Sequence, residues 1–366
     1  MTQPAAATTR PLYFVNAPVD FALIGGLSIV TFLAFYFVGQ AKPMGRESVF
    51  LVAATLAWVI NWPHFSATSY RLYHVRSNVN QYPVTALIIP VLLTIAVIGS
   101  FLSPTGVAPW LVKMFVIWSP YHFSGQTLGI SLIYARRAGI RVGRGERLAL
   151  AGFIFATFLV QTAITEAGQG PGSFYSVYYP TFGLPAWVPD VLRVWMWACA
   201  AGLLFFYVQW SRRAGKLAPP ILLLPAATQF VWFGLGWKVP AFNEFVPFFH
   251  ALQYMLIAWV MQIGESLGAK APADRRRFVM SESLRWGVFN IAGGILLFWV
   301  LPRVGALGGF TLPFATAVVI SAVQIHHFFV DGVIWKLRNS KVASPLLSNV
   351  DELMAGPSPA LAVKAA

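Results

Sequence analysis

The residues of this chain best suited to chemistry are its histidines. Of the six histidines, all but His74 lie inside long apolar segments. Neutral imidazole is a ligand that iron, copper and zinc all accept. An ionisable side chain within a membrane span is costly, and it usually faces the interior of a helix bundle and has a function. The sequence therefore predicts a shared metal or haem site formed by His64, His122, His250, His326 and His327.

Glutamines accompany these histidines at helical spacing. Three glutamines each lie three or four residues from a histidine of the same segment: Gln126, Gln253 and Gln324. Residues three or four positions apart share one face of a helix. We therefore expect the three glutamines to be hydrogen-bond partners in the site, of the kind that orient ligating histidines.

A carboxylate and a tyrosine complete the set of candidate residues. Asp331 follows His327 by four residues, which predicts either a metal ligand or a carboxylate that orients a histidine. Tyr121 adjoins His122 and is a candidate proton donor, with a plain interfacial aromatic as the alternative. Adjacent His326 and His327 point about 100° apart on a helix, so both are ligands only in a wide or two-metal site.

The composition places these residues in a membrane protein. Of 366 residues, 57% are hydrophobic and 10% are charged, whereas soluble domains carry roughly 25% charged residues. This composition excludes a soluble enzyme and a disordered chain. The single cysteine, Cys199, excludes a disulfide scaffold and a Cys-based metal site.

Apolar segments long enough to cross a bilayer recur along the chain. We predict an all-α polytopic bundle of about ten spans, near residues 19–39, 48–70, 84–103, 110–135, 148–166, 188–210, 219–237, 244–266, 284–301 and 311–335. One transmembrane bundle would occupy residues 1–340, and 341–366 would form a loosely ordered cytoplasmic tail. Counted from the start of each span, His250 is expected one to two turns nearer the outer surface than the other histidines.

The basic residues predict the orientation of the bundle. If both termini are cytoplasmic, 20 of the 26 Lys and Arg residues fall on the cytoplasmic side. The exceptions are Lys42, Arg46, Lys113, Arg193, Lys238 and Arg303. The net charge of +14 is thus explained by topology, with no nucleic-acid partner, and the pattern fits a bacterial inner membrane.

A bundle of apolar helices whose histidines come from several spans resembles the polytopic β-carotene dioxygenases of the Brp/Blh type. That resemblance implies a histidine-bound iron and an apolar polyene substrate. Membrane fatty-acid desaturases and hydroxylases are more remotely similar, but their HxxxH and HxxHH boxes are absent. The pair His326–His327 also resembles the copper-ligating histidines of haem–copper oxidases, without the upstream HPEVY-type motif.

These observations favour a non-haem iron oxygenase that acts on an apolar, lipid-like molecule, with a possible redox partner. The iron centre could be mononuclear or dinuclear, and copper is an alternative metal. A second hypothesis is a haem b electron carrier, in which Gly125, Gly129 and Gly332 would make room for the porphyrin. A third is a proton- or metal-coupled transporter that uses the same histidines, and a fourth is a scaffold subunit with structural histidines.

Overall fold

The computed structural model describes residues 11–41, 46–74, 76–168, 170–335 and 345–355. Ten principal helices form one bundle: α1 Ala17–Val38, α2 Glu47–Tyr73, α3 Val84–Leu102, α4 Ala108–Arg137, α5 Arg144–Glu166, α6 Val188–Ala214, α7 Leu224–Gln229, α8 Pro240–Lys270, α9 Arg275–Ala306 and α10 Leu312–Ile334. Eight of them, all but α4 and α7, are long and apolar enough to cross a membrane. Helix α4 has the length but carries the polar run around His122, and α7 continues as a π-helical turn over Phe230–Leu235. The predicted helical architecture is confirmed and eight of the described helices are candidates to cross a membrane, whereas ten spans and their orientation stay a prediction.

Capping side chains set where several helices begin. The Asn16 side chain accepts a hydrogen bond from the Val19 N–H at the start of α1, and Asp274 accepts one from the Arg277 N–H at the start of α9. Thr311 caps α10 in the same way. These side chains satisfy backbone donors that have no partner within the helix.

Prolines precede three of the histidines that the sequence singled out. Pro63 adjoins His64 in α2, Pro120 lies within α4, and Pro247 lies in the first turn of the straight part of α8. In α2 a π-helical turn over Ala57–Asn61 comes just before the proline. Proline lacks the N–H that would close the preceding turn, and π-turns inside α-helices are frequent at functional sites.

Two glycines of α9 bring it unusually close to α2 at the level of His64. A Cβ atom on Gly294 would lie 2.7 Å from the backbone carbon of Trp62, and one on Gly293 would lie 2.2 Å from the Ser66 hydroxyl. At Gly294, where the close atoms belong to the backbone, no larger residue fits unless the helices separate. Small residues that let helix backbones approach are typical of membrane bundles.

The end of the chain packs against its beginning. Residues 345–355, which we call the C-terminal anchor, include the helix Val350–Ala355. The Asn349 side chain donates to the carbonyl oxygens of Tyr13 and Val15, and the Arg137 guanidinium donates to that of Ser348 at 2.8 Å. The predicted loosely ordered tail is therefore docked over this part, while residues 341–344 and 356–366 lie outside the described residues.

A short hairpin follows α5, formed by the antiparallel strands β1 Gly172–Phe174 and β2 Val177–Tyr179. The segment is held at its base by a buried ion pair, in which Lys113 Nζ of α4 lies 2.5 Å from Glu166 Oε1 of α5. The second oxygen of Glu166 accepts the Phe182 N–H at 2.9 Å. The connection between α5 and α6, which contains this hairpin, is thus tied to two helices, α4 and α5.

Candidate metal centre

Four histidines from four different helices meet in the interior of the bundle. His64 of α2, His122 of α4, His250 of α8 and His327 of α10 each offer one ring nitrogen, and all four nitrogens lie within 4.8 Å of one another. The exposed fraction of each residue is 8% or less. A group of this size could hold one metal ion, and we call it the four-histidine cluster.

The spacing of the ring nitrogens matches that of ligands around a common ion. His327 Nε2 lies 3.1 Å from His64 Nε2 and 3.1 Å from His122 Nε2. Nitrogens held at about 2.0 Å from one tetrahedral metal ion are separated by about 3.3 Å. The helices therefore bring three of the four imidazoles almost to coordination distances.

One histidine is fixed in the tautomer that ligation requires. His64 Nδ1 lies 3.0 Å from the carbonyl oxygen of Asn61. A carbonyl oxygen only accepts, so Nδ1 carries the proton and the Nε2 lone pair faces the cluster. Metal-bound histidines commonly donate their second nitrogen to a backbone carbonyl in this way. Asn61 is the last residue of the π-helical turn that lies ahead of Pro63.

Several nitrogens of the cluster have no hydrogen-bond partner among the described residues. Both ring nitrogens of His250 and Nδ1 of His327 are in this condition, although they are shielded from solvent. Buried polar atoms are nearly always paired, so each exception needs an explanation. A cation bound between the rings would satisfy the inward-facing lone pairs together.

Asp331 lies at the edge of the cluster. Its Oδ2 atom is 3.4 Å from His327 Nε2 and 3.6 Å from His122 Nε2. Its Oδ1 atom accepts hydrogen bonds from the Trp335 indole at 3.1 Å and from the Thr68 hydroxyl at 3.3 Å. One carboxylate oxygen is thus held by neutral donors while the other faces the histidines.

Aromatic rings enclose the cluster and orient its imidazoles. Phe123 stacks on His250 with 3.9 Å between ring centroids, and Phe328 stacks on His122 at 4.6 Å. The Tyr254 ring lies edge-on to His64 at 5.0 Å. Such surroundings exclude water and strengthen any electrostatic interaction within the site.

The structure separates the two adjacent histidines of α10. His327 belongs to the cluster, whereas His326 Nε2 lies 3.1 Å from the Tyr73 hydroxyl and is not part of it. His74, whose role the sequence left open, stacks on Tyr70. His250 joins the other three histidines although its depth was expected to differ.

The predicted polar partners lie around the cluster at different distances. Gln126 donates to the carbonyl oxygen of His250 at 3.0 Å, and Gln253 donates to that of Ile24. These two glutamines tie α1, α4 and α8 together beside the ligands. Gln324 is half-buried on α10, and Tyr121 is 51% exposed and packs against Phe155.

Two neighbours of the site were not singled out from the sequence. Thr68 and Trp335 hold Asp331, and the Thr68 hydroxyl lies at hydrogen-bond distance, 2.6 Å, from the Tyr254 hydroxyl. Helical spacing could have identified both residues in the sequence, since Thr68 follows His64 by four residues and Trp335 follows Asp331 by four.

A cavity of about 320 Å³ opens beside the cluster, and His122 and Asp331 form part of its wall. Its remaining lining is mainly apolar and comes from α4, α8, α10 and the C-terminal anchor.

No protein-family model, curated protein or solved structure matches the chain at a significant level.

Proposed function

We propose that the protein is an integral-membrane metalloenzyme in which the four-histidine cluster holds iron and oxidises an apolar, lipid-like substrate. The observation that carries this proposal is the meeting of four buried histidine nitrogens within 4.8 Å beside an apolar cavity. Imidazole ligands suit iron, copper and zinc, and a nearby carboxylate favours iron or zinc over copper(I).

The crowding of the imidazoles favours a metal ion over haem. A bis-histidine haem needs a porphyrin plane between two facing rings. Here the ring centroid of His327 lies 4.5 Å from that of His64 and 4.7 Å from that of His122. The ring centroid of His250 lies 5.3 Å from that of His64 and 5.1 Å from that of His122. Four rings packed this closely suit one ion at their centre.

The proposal includes a membrane arrangement. We place about ten spans in the bilayer, with α4 and the segment around α7 as the two that the hydropathy and length criteria leave out. Both termini would be cytoplasmic in a bacterial inner membrane, as the distribution of Lys and Arg supports. Membrane lipids and other apolar molecules would then reach the site from within the bilayer.

The residues of the chain supply the surroundings of the reaction. Bound iron would supply the capacity to react with dioxygen, and a redox partner would supply electrons where the reaction consumes them. Asp331 presents its Oδ2 atom to the Nε2 atoms of His122 and His327 that face the cluster, where it would be a further ligand of the bound ion. The aromatic shell around the cluster excludes water and so limits side reactions.

The first experiment is a metal analysis and an absorption spectrum of the same detergent-purified protein. We expect at least one iron per chain, retained after treatment with a chelator, and no Soret band. A Soret band would show haem and overturn the proposal. Metal lost freely to the chelator would instead indicate a transport site, because a transporter must release its ion.

Adjacent histidines provide a matched pair of variants. His327→Ala should remove the metal and the activity, whereas His326→Ala should retain both, since His326 faces Tyr73 and not the cluster. Circular dichroism and size-exclusion profiles would verify that both variants fold. Normal metal content in folded His327→Ala protein would contradict the assignment of the site.

A further inference from the structure

The cavity beside the cluster follows a single face of α4. Residues Trp118, His122, Gly125, Gly129 and Ile133 line it, at spacings of three or four residues. From the first to the last of these, the helix axis rises roughly 22 Å. A volume of about 320 Å³ spread over that length is a narrow slot and not a round chamber.

Glycines widen this slot without being needed for packing. A Cβ atom on Gly125 or Gly129 would meet nothing within 4 Å, and the same holds for Gly332 on the opposite wall. The contrast is with Gly294, where a Cβ would collide with α2. A glycine within a helix costs roughly 1 kcal/mol relative to alanine, and in the slot no neighbouring helix explains that cost.

The slot has a reactive end and a closed end. His122 and Asp331 bring the metal cluster to its wall, and their side chains are 7% and 8% exposed. At the other end Leu346 of the C-terminal anchor fills the space beside Ile133 and is 1% exposed. The Arg137 guanidinium holds this anchor in place through the Ser348 carbonyl.

The side of the slot is open towards the surroundings of the bundle. Gly125 on α4 and Gly332 on α10 are exposed, and so is Tyr121. In a membrane protein this face meets lipid. A chain dissolved in the bilayer can therefore enter sideways between α4 and α10.

We infer that the slot binds one unbranched hydrocarbon chain of the substrate, with Gly125 and Gly129 setting its width and Leu346 its length. This inference rests on the proposed function and names the substrate class. The lining is apolar, the width is that left by absent side chains, and the length exceeds the ~15 Å of one leaflet of the hydrocarbon core. An extended lipid tail fits those dimensions.

The inference is tested by binding and not by turnover. A series of linear hydrocarbon probes of increasing length, each with a terminal photoreactive diazirine, is incubated with the full-length detergent-purified protein. After irradiation, the labelled residues are mapped by mass spectrometry. In the wild-type protein we expect labelling near Ile133 and the C-terminal anchor, with a sharp decrease beyond one probe length.

Two variants should move that limit in opposite directions. Gly129→Leu should block the slot and reduce labelling by the longer probes at least tenfold, and Leu346→Ala should extend labelling to longer probes. The matched controls are Gly287→Leu, where a Cβ also meets nothing within 4 Å but on α9, and Leu347→Ala beside Leu346. The controls should keep the wild-type length limit.

The outcomes separate this inference from the proposed function. An unchanged length limit in both folded slot variants, with metal bound, would overturn the slot and leave the metal centre intact. The expected length pattern in protein that never binds metal would overturn the proposed function and leave the slot. If Gly129→Leu does not fold, an unchanged limit in Leu346→Ala alone overturns the inference.

Discussion

Two of the buried polar centres in the described part of this bundle are completed in different ways. At the base of the hairpin, Lys113 and Glu166 form an ion pair whose side chains are each 3% exposed. Both carboxylate oxygens have partners, and the Lys113 ammonium also lies 4.4 Å from the centre of the Phe182 ring. Both charged groups of this centre are therefore neutralised by an ion pair within the same chain.

The four-histidine cluster is different because protein groups leave it unfinished. His250 has no hydrogen-bond partner for either ring nitrogen among the described residues. The Nε2 atoms of His64 and His122 both lie 3.1 Å from His327 Nε2, which can donate at most one hydrogen bond. A satisfied buried network rigidifies the fold, whereas an unsatisfied one costs free energy unless something binds there. The comparison shows that the first centre is complete within the chain, whereas the second could bind a metal ion.

The largest effect on the free energy of unfolding should come from breaking the completed centre. Glu166→Gln leaves the Lys113 ammonium buried without its counter-charge, which we expect to cost about 3–5 kcal/mol. Denaturant or thermal unfolding in detergent would measure it. The metal content of the folded fraction should remain normal.

The control for this prediction is the double variant Lys113→Met/Glu166→Leu. Replacing both partners by apolar residues removes the unpaired charge, so much of the lost stability should return. A Glu166→Gln protein as stable as the wild type would show that the ion pair does not hold the hairpin and would remove the contrast.

The next effect concerns stability that depends on metal. His250→Leu removes two unpartnered nitrogens, so the metal-free variant should unfold at the same or a higher temperature than metal-free wild type. Added metal should no longer stabilise it, whereas wild type at a hundredfold excess over Kd gains about 2.7 kcal/mol. A His326→Leu control should keep the metal-dependent increase. Destabilisation of metal-free His250→Leu protein by several kcal/mol would mean that the cluster is complete without metal.

The sequence predicted the clustered histidines better than their surroundings. Four of the five candidate histidines meet, each from a long helix, and helical spacing placed Asp331 beside His327. It could not choose between His326 and His327, since neighbours on a helix point in different directions and the choice depends on which face meets α4. The Lys113–Glu166 pair was out of reach because it joins residues 53 positions apart.

A smaller effect should follow from weakening the carboxylate at the edge of the cluster. Asp331→Asn keeps the shape of the side chain but replaces the carboxyl group facing His122 and His327 by an amide, so metal affinity should fall about 10–100-fold. Competition with a chelator would measure the change. Asp190→Asn, in an exposed ion pair with Arg193, is the control and should retain the wild-type affinity.

The smallest effect should come from one hydrogen bond behind that carboxylate. Trp335→Phe removes the indole donor to Asp331 Oδ1 and should cost about 1 kcal/mol, or roughly fivefold in metal affinity. Trp259→Phe loses an equivalent hydrogen bond to Ser283, away from the cluster, and should leave the affinity unchanged. Equal losses in the two variants would show that Trp335 acts on overall stability and not through Asp331.

The order in which the ligands are synthesised has a consequence for biogenesis. His64 and His327, whose nitrogens meet at 3.1 Å, are 263 residues apart in the chain. The ribosome therefore releases α2 into the bilayer long before α10 exists, and contacts between such distant segments form late in folding. A chain truncated before its last helix cannot assemble the cluster. Any metal that the cluster holds thus reports that synthesis and insertion have been completed.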